Sequence, residues 1–325
     1  MKGKLFSSYV KKYIYQPHYR LFDNEVVKLL KDYHLISDSS IYSIVRVRKA
    51  KFIPESFHPV SNYSLRGKIE ANNKVHDVVL NLAKFWFEGE SELSTSIREE
   101  FKSIECFVEQ GLSNIFKNEG EVLSNQEKFL NLAEIDLEKS NEKMLKVLCP
   151  IRSGFYGQEV YAELHLYQVI NKYHMDLLGN LEICYIGKSN LSTFKRLRNH
   201  EKWGPILSSS ENELYDYFAY FFVIDEAAIF RDNFSGVNIY YRNTSKLPKG
   251  AITEICESTL INHFKPKFND SFVNSDVKKI GVIKKWLVNN GFNYVLTELE
   301  LEGVMGRLET ESKPYQVNQI FSERL

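Results

Sequence analysis

The segment Cys184-Tyr185-Ile186-Gly187-Lys188-Ser189 constrains this chain most. Arg196 follows eleven residues after Tyr185, and His200 four residues later. A Tyr-Ile-Gly run among apolar residues reads as a strand that ends in a turn. The residues after it read as a helix capped by Asn190 or Ser192, with Phe194, Leu197 and Trp203 as an interrupted apolar face. Arg196 and His200 are spaced i, i+4, so they stack on one side of that helix. Gly187-Lys188-Ser189 also has the ending of a phosphate-binding loop. That motif needs a glycine where Glu182 stands, and an acidic residue there opposes a backbone cradle for phosphate.

A second stretch, Glu257 to Asn269, is more specific. Glu257, Leu260, Ile261 and Phe264 fall at i, i+3, i+4 and i+7, one face of a helix. A carboxylate at the edge of an apolar stripe is poorly solvated, which suits a metal ligand better than a surface charge. Pro266 ends the helix, and Asn269 can turn back to hold a strand or a neighbouring side chain. Alone, each stretch is also explained by an amphipathic helix with solvated charges. Together they resemble the GIY-YIG nuclease family in spacing and in residue type. The match lies in Tyr185-Ile186-Gly187, Lys195-Arg196-Leu197, His200, Glu257 with Leu260-Ile261, and Lys265-Pro266-Lys267-Phe268-Asn269.

The resemblance covers about a third of the chain, near residues 159–270, and implies an endonuclease that hydrolyses phosphodiester bonds with one Mg²⁺ or Mn²⁺. DNA is preferred over RNA as substrate. The implied catalytic set is Tyr167, Tyr185, Arg196, His200, Glu257 and Asn269, with Glu257 as metal ligand and Gly187 and Lys188 in support. Arg198, Lys202, Lys265 and Lys267 are the implied nucleic-acid contacts. The Gly-Ile-Tyr strand of the family is not literal here. Its candidate is His165-Leu166-Tyr167-Gln168-Val169-Ile170-Asn171, with His165 at the glycine position. Tyr167 lies eighteen residues before Tyr185, against about ten or eleven in the family, so Lys172 to Asn180 becomes an enlarged hairpin loop. Tyr173, twelve residues before Tyr185, is the rival, but Asn171-Lys172 before it makes a poorer strand. A tyrosine of ordinary pKa near 10 is a weak base, so help from Lys188, His200 or metal-bound hydroxide is expected. The alternative from another class is a nucleic-acid-binding or interaction protein that keeps the nuclease fold without cutting. The missing literal Gly-Ile-Tyr supports that alternative.

The whole chain bounds these readings. At 325 residues with 43% apolar residues it is long enough for two packed domains. An α+β organisation is expected. Residues 1–155 read as a mainly helical domain, with helices at 21–36, 74–88, 94–116 and 120–148, a strand from Ile41 to Phe52 and a loop at 53–73. That region suits target recognition, a partner surface or structural support. A boundary near 150–158 leads into a nuclease domain at 156–275, an antiparallel three-stranded sheet flanked by helices, then a helix–strand extension at 276–325. Four scattered cysteines without a Cys-x-x-Cys pair suit a reducing cytoplasm, and no segment reads as a membrane span. Net charge is zero, from 42 basic and 42 acidic residues, so any nucleic-acid footprint must be a local patch.

Overall fold

The chain opens with β1 (Lys4–Pro17) and, further on, β2 (Ile41–Arg48). Their aromatic and β-branched residues fit a pleated surface, and β2 is buried along most of its length. In this computed structural model, residues 4–23, 39–88, 92–115, 123–189, 193–208, 212–231, 238–241, 250–271, 273 and 281–325 are described. The helix expected at 21–36 falls largely outside them. At Lys49 the chain leaves the unit that it began, and it returns only at Gly179. Residues 1–48 and 179–325 form one compact unit, and residues 49–178 form another.

The 49–178 unit starts with an antiparallel meander: β3 (Ala50–Val60), β4 (Ser64–Ala71) and β5 (Lys74–Asn81). Both turns are tight: Asn72 and Asn73, at positive φ, form a two-residue turn between β4 and β5, and Asn62 and Tyr63, also at positive φ, lie in the three-residue turn between β3 and β4. The loop expected at 53–73 and the helix expected from 74 are therefore strands. The prolines that suggested a loop sit on β3, an edge strand of this sheet, and Pro54 falls in the register slip between Ile53 and His58. Gly67 is required because the Phe57 ring lies where a side chain would begin, 2.3 Å from the position of a Cβ.

Short helices follow: α1 (Leu82–Phe87), α2 (Glu92–Glu100), α3 (Ile104–Ile115) and α4 (Asn125–Leu132). Ser124 and Glu127 form a reciprocal capping box at the start of α4. The helix expected over 120–148 ends at Leu132. Beyond it a second antiparallel sheet forms from β6 (Glu134–Ile135), β7 (Met144–Leu148) and β8 (Tyr161–His165), with α5 (Pro150–Tyr156) between the last two. The boundary expected near 150–158 thus falls on α5 inside this unit. There α3 and α5 meet backbone to backbone: a Cβ on Gly154 would stand 1.7 Å from the Gly111 carbonyl oxygen. The unit closes with α6 (Leu166–Lys172).

The returning chain forms β9 (Leu181–Lys188), α7 (Thr193–Arg198), α8 (Trp203–Leu207), β10 (Tyr215–Arg231) and β11 (Asn238–Tyr241). Then come α9 (Ala251–Phe264), α10 (Gly281–Asn289), β12 (Phe292–Leu299), β13 (Leu308–Glu309) and β14 (Gln319–Arg324). The sheet runs β13-β9-β2-β10-β1-β12-β14, and β11 pairs with β10. The expected helical N-terminal domain beside a three-stranded nuclease sheet is therefore corrected. The N-terminal β1 and β2 lie inside a large mixed sheet. The expected C-terminal extension supplies β12 and β14 on one side of it and β13 on the other.

The β2–β9 ladder is antiparallel, from Ile41 opposite Lys188 to Arg46 opposite Glu182. The two ends of the 49–178 unit thus leave neighbouring strands a few residues past this pair. A whole unit occupies the place of a hairpin loop, which folds tolerate when an insert's ends lie together. Replacing residues 49–178 by a short Asn-Gly turn is expected to leave the remaining unit folded. A cooperative urea transition with retained near-ultraviolet dichroism checks this, and loss of the transition refutes it.

Candidate active site

Residues on one face of β2 and β9 begin the site. Tyr42, Ile44 and Arg46 alternate onto the same side of β2. A register slip at Ile44/Val45 sets both Cys184 and Tyr185 against that face. Tyr42 is fully buried, and its ring lies 6.2 Å from that of Tyr185 and 5.7 Å from that of His200. Tyr185 and His200 are 4.8 Å apart between ring centres. Gly187 makes this possible. A Cβ there would stand 2.7 Å from Tyr42 Oη and 2.8 Å from Tyr185 Cε1. Tyr-Ile-Gly therefore ends in glycine because two tyrosine rings occupy the space of a side chain.

The helices that follow β9 complete this side. Thr193 Oγ1 donates to the Ser39 carbonyl at 2.6 Å and fixes the start of α7. Phe194, Leu197, Trp203 and Ile206 pack on Tyr42, Ile44 and Cys184 in one apolar cluster. That packing aims Arg196, which is exposed, and His200, which is buried, at the tyrosines. His200 Nδ1 accepts from the Lys202 backbone N–H at 3.1 Å. The neutral ring then carries its proton on Nε2. Burial first, and the Arg196 charge second, hold the His200 pKa below its usual value.

Glu257 approaches from α9. It is 8% exposed, and one carboxylate oxygen, Oε2, is buried without a hydrogen bond. Lys188 Nζ stands 3.3 Å from that oxygen and 2.8 Å from Glu254 Oε1. Burial raises the Glu257 pKa, with the Lys188 charge working against the rise. Burial is also the first cause that raises the pKa of both tyrosines. Tyr185 and Glu257 push Tyr42 further up, and Glu257 pushes Tyr185 up, so all three groups share one electrostatic environment. Tyr42 Oη is itself buried without a hydrogen bond of good geometry, although Arg196 lies close enough to lower its pKa in part. A buried hydroxyl left in that state costs about 1–3 kcal/mol.

Asn269 binds β9 on its other edge. Its side chain accepts from the Ile186 N–H at 2.9 Å and donates to the Ile186 carbonyl at 2.8 Å. Phe268 N–H donates to the Cys184 carbonyl at 3.1 Å. Residues 268–269 thus continue the edge of the sheet where β13 stops. Lys202 Nζ pairs with the exposed Asp270 at 2.6 Å. Arg198 lies over the Phe22 ring at 5.1 Å, and Lys267 lies 6.0 Å from the Phe268 ring. Lys265, with φ 50°, caps the end of α9.

Tyr185, Gly187, Lys188, Arg196, His200, Glu257 and Asn269 therefore lie together within the 1–48/179–325 unit. Tyr167 does not join them. It lies on α6 of the 49–178 unit rather than on a strand, 2% exposed, where its hydroxyl accepts from the Ala50 N–H at 3.3 Å. Tyr173, the rival, donates to the Asn81 carbonyl at 2.7 Å in the same unit. The tyrosine beside Tyr185 is Tyr42, the second residue of β2, in the run Ser40-Ile41-Tyr42. It stands 143 positions before Tyr185. A Ser-Ile-Tyr run ahead of a buried strand was the available signal.

Charge divides along the same line. Residues 1–48 and 179–325 hold 27 Lys and Arg against 22 Asp and Glu, a net +5, and residues 49–178 hold 15 against 20, a net −5. Among the described residues no group of three or more His, Cys, Asp or Glu side chains forms a metal cluster, and no helix is long and apolar enough to cross a membrane. Comparison of the chain with protein-family models, with curated proteins and with solved structures finds no match.

The helix that carries Glu257 also carries a pH-sensitive contact. His263 is stacked on Phe321 at 3.9 Å with its Nε2 buried and unbonded, and burial lowers its pKa to about 4. The folded value lies below the unfolded one, so the stabilisation is complete above about pH 6.5 and is lost as pH falls through about 4. Wild-type protein is expected to lose thermal stability over that window more steeply than His263→Phe, which keeps the stack without the titration. Equal acid slopes in thermal melts would refute this.

Proposed function

We propose that the unit of residues 1–48 and 179–325 is a GIY-YIG-type endonuclease that hydrolyses phosphodiester bonds in DNA, with Mg²⁺ or Mn²⁺. The observation that carries this reading is the convergence of Tyr42, Tyr185, His200 and Arg196 with the buried Glu257 around Gly187. Two tyrosines facing each other across neighbouring strands are what the family resemblance requires, and Tyr42 takes the place first given to Tyr167. The net +5 of this unit also favours attraction to phosphate. With four free thiols, the cytoplasm is the compartment that suits the chain.

The residues fit a single divalent ion. Glu257 offers a buried carboxylate oxygen without a hydrogen bond, and Mg²⁺ is commonly held by one or two carboxylates with waters and phosphate oxygens completing its shell. The ion, when bound at Glu257, supplies positive charge for the leaving oxygen.

The chain's own groups carry the remaining work. Arg196 has no carboxylate partner among the described residues, so its guanidinium is available to fork onto the oxygens of the scissile phosphate as charge builds there. Tyr42 remains a phenol at neutral pH because burial raises its pKa. Its hydroxyl orients the attacking water, and it accepts the water's proton only as its own passes to a non-bridging oxygen of the scissile phosphate. His200, neutral and protonated on Nε2, donates a hydrogen bond rather than acting as a base. Asn269 keeps β9, and with it Tyr185, in place.

Tyr42→Phe is expected to lower plasmid cleavage by about 10²-fold or more, the scale of a positioned proton-transfer group. Tyr167→Phe is expected to keep cleavage within a few-fold and to cost about 1 kcal/mol of stability in urea, the scale of one buried hydrogen bond. The reverse pattern would sink the assignment of Tyr42.

Arg196→Lys keeps the charge but not the bidentate fork, so a loss of about 10²-fold is expected with DNA binding in EDTA retained. Cleavage within a few-fold of wild type would make Arg196 part of a solvated basic face. A wild-type protein that binds DNA but never nicks it with Mg²⁺ or Mn²⁺ would instead support the reading as a binding protein.

A further inference from the structure

Two carboxylates of α9 share the ammonium of Lys188, and they share it unequally. Lys188 Nζ makes an aligned hydrogen bond to Glu254 Oε1 at 2.8 Å. Its approach to Glu257 Oε2 is longer, 3.3 Å, and leaves that oxygen without a hydrogen bond. Glu254 and Glu257 are three residues apart, so they are neighbours on one helix face. Glu254 is the more solvated of the two, with 41% of its side chain exposed against 10% for Glu257. The better-hydrated carboxylate thus holds the lysine in the shorter, aligned contact, and the buried one meets it only through the longer ion pair.

A divalent cation at Glu257 must sit beside this ammonium, and two cations on one carboxylate repel each other. A lysine with Glu257 as its sole partner would close onto it and compete directly with the ion. We propose that Glu254 is a positioning residue that parks Lys188, so that Glu257 stays available to the metal ion. Glu254 acts through Lys188 and is not itself a ligand. This rests on the reading of Glu257 as the metal ligand.

The test is Mn²⁺ binding to the full-length protein without DNA, followed by electron paramagnetic resonance of the free ion. Circular dichroism checks that each variant is folded. Glu254→Gln is expected to weaken Mn²⁺ binding roughly three- to tenfold, within the usual range of coupling between touching residues. Lys188→Met is expected to tighten it. In the Lys188→Met background, adding Glu254→Gln is expected to lose most of its effect, because the competitor that Glu254 restrains has gone.

An equal effect of Glu254→Gln in both backgrounds would make Glu254 a direct participant in metal binding and overturn the proposal. So would unchanged Mn²⁺ affinity in Glu254→Gln while Glu257→Gln abolishes binding. Unchanged affinity in Glu257→Gln, or no binding by wild type and Lys188→Met alike, would fell the metal assignment of Glu257 itself. The two failures are thereby distinguished.

Discussion

The antiparallel ladder between β2 and β9 is the contact on which the rest of the site depends. It joins strands separated by the 130 residues of the 49–178 unit, so its closure must be stabilised by contacts other than a tight turn. At one end Arg46 grips Glu182, with Nη2 and Nε at 2.7 and 2.9 Å from one carboxylate oxygen. At the other, Ser43 Oγ donates to the Tyr185 carbonyl at 2.8 Å, and the Tyr42 ring fills the space above Gly187. Between them Ile44 and Cys184 enter the apolar cluster with α7 and α8. A slip of one residue would turn Tyr42 and Ile44 to the opposite face of the sheet, so register and site are specified together.

The site gathers groups that are costly to bury. Tyr42 Oη and Glu257 Oε2 both lack hydrogen bonds, and the His200 ring is kept neutral by its surroundings. Such groups destabilise a fold unless packing holds them. Here the packing is extensive: Phe221, Leu197 and Ile44 are fully buried around the tyrosines, and Leu260 and Ile261 flank Glu257 on α9. Perturbed titrating groups that converge on one place are a common mark of chemistry, although structural ion pairs produce them too.

The division of charge changes how the neutral composition reads. A chain with 42 residues of each sign gives no hint of a phosphate-binding surface. Once the chain is divided by its contacts, the unit with the tyrosines carries the positive excess and the inserted unit the negative one. Residues 1–48 hold 9 Lys and Arg against 4 Asp and Glu, an excess that can be counted in the sequence. What was not legible was that those residues fold with 179–325, because only strand pairing joins them. The inserted unit, by its sign, is poorly suited to bind phosphate through bulk charge.

Local spacing set the short-range pieces of this fold. It put Glu257 on the face of a helix with Leu260, Ile261 and Phe264 and ended that helix at Lys265-Pro266. These are short-range consequences of helix geometry and of proline's missing N–H. The single helix expected to carry both Arg196 and His200 stops instead at Arg198, and His200 lies in the link before α8. Tertiary structure alone decided which tyrosine meets Tyr185. The interval usual in the family points to a partner strand close before Tyr185, and the Leu166–Tyr167–Val169 pattern serves a buried helix as well as a strand, since short apolar runs do not separate the two. Tertiary structure also decided that a stretch with Pro54, Pro59 and Gly67 forms strands, because the edge position of β3, a register slip at Pro54 and the Phe57 ring supply what local propensity withholds. The cause is the same in each case. Pairing between strands is a contact at a distance, and neither the interval between partners nor the unit lodged between them is written in the local pattern of either strand.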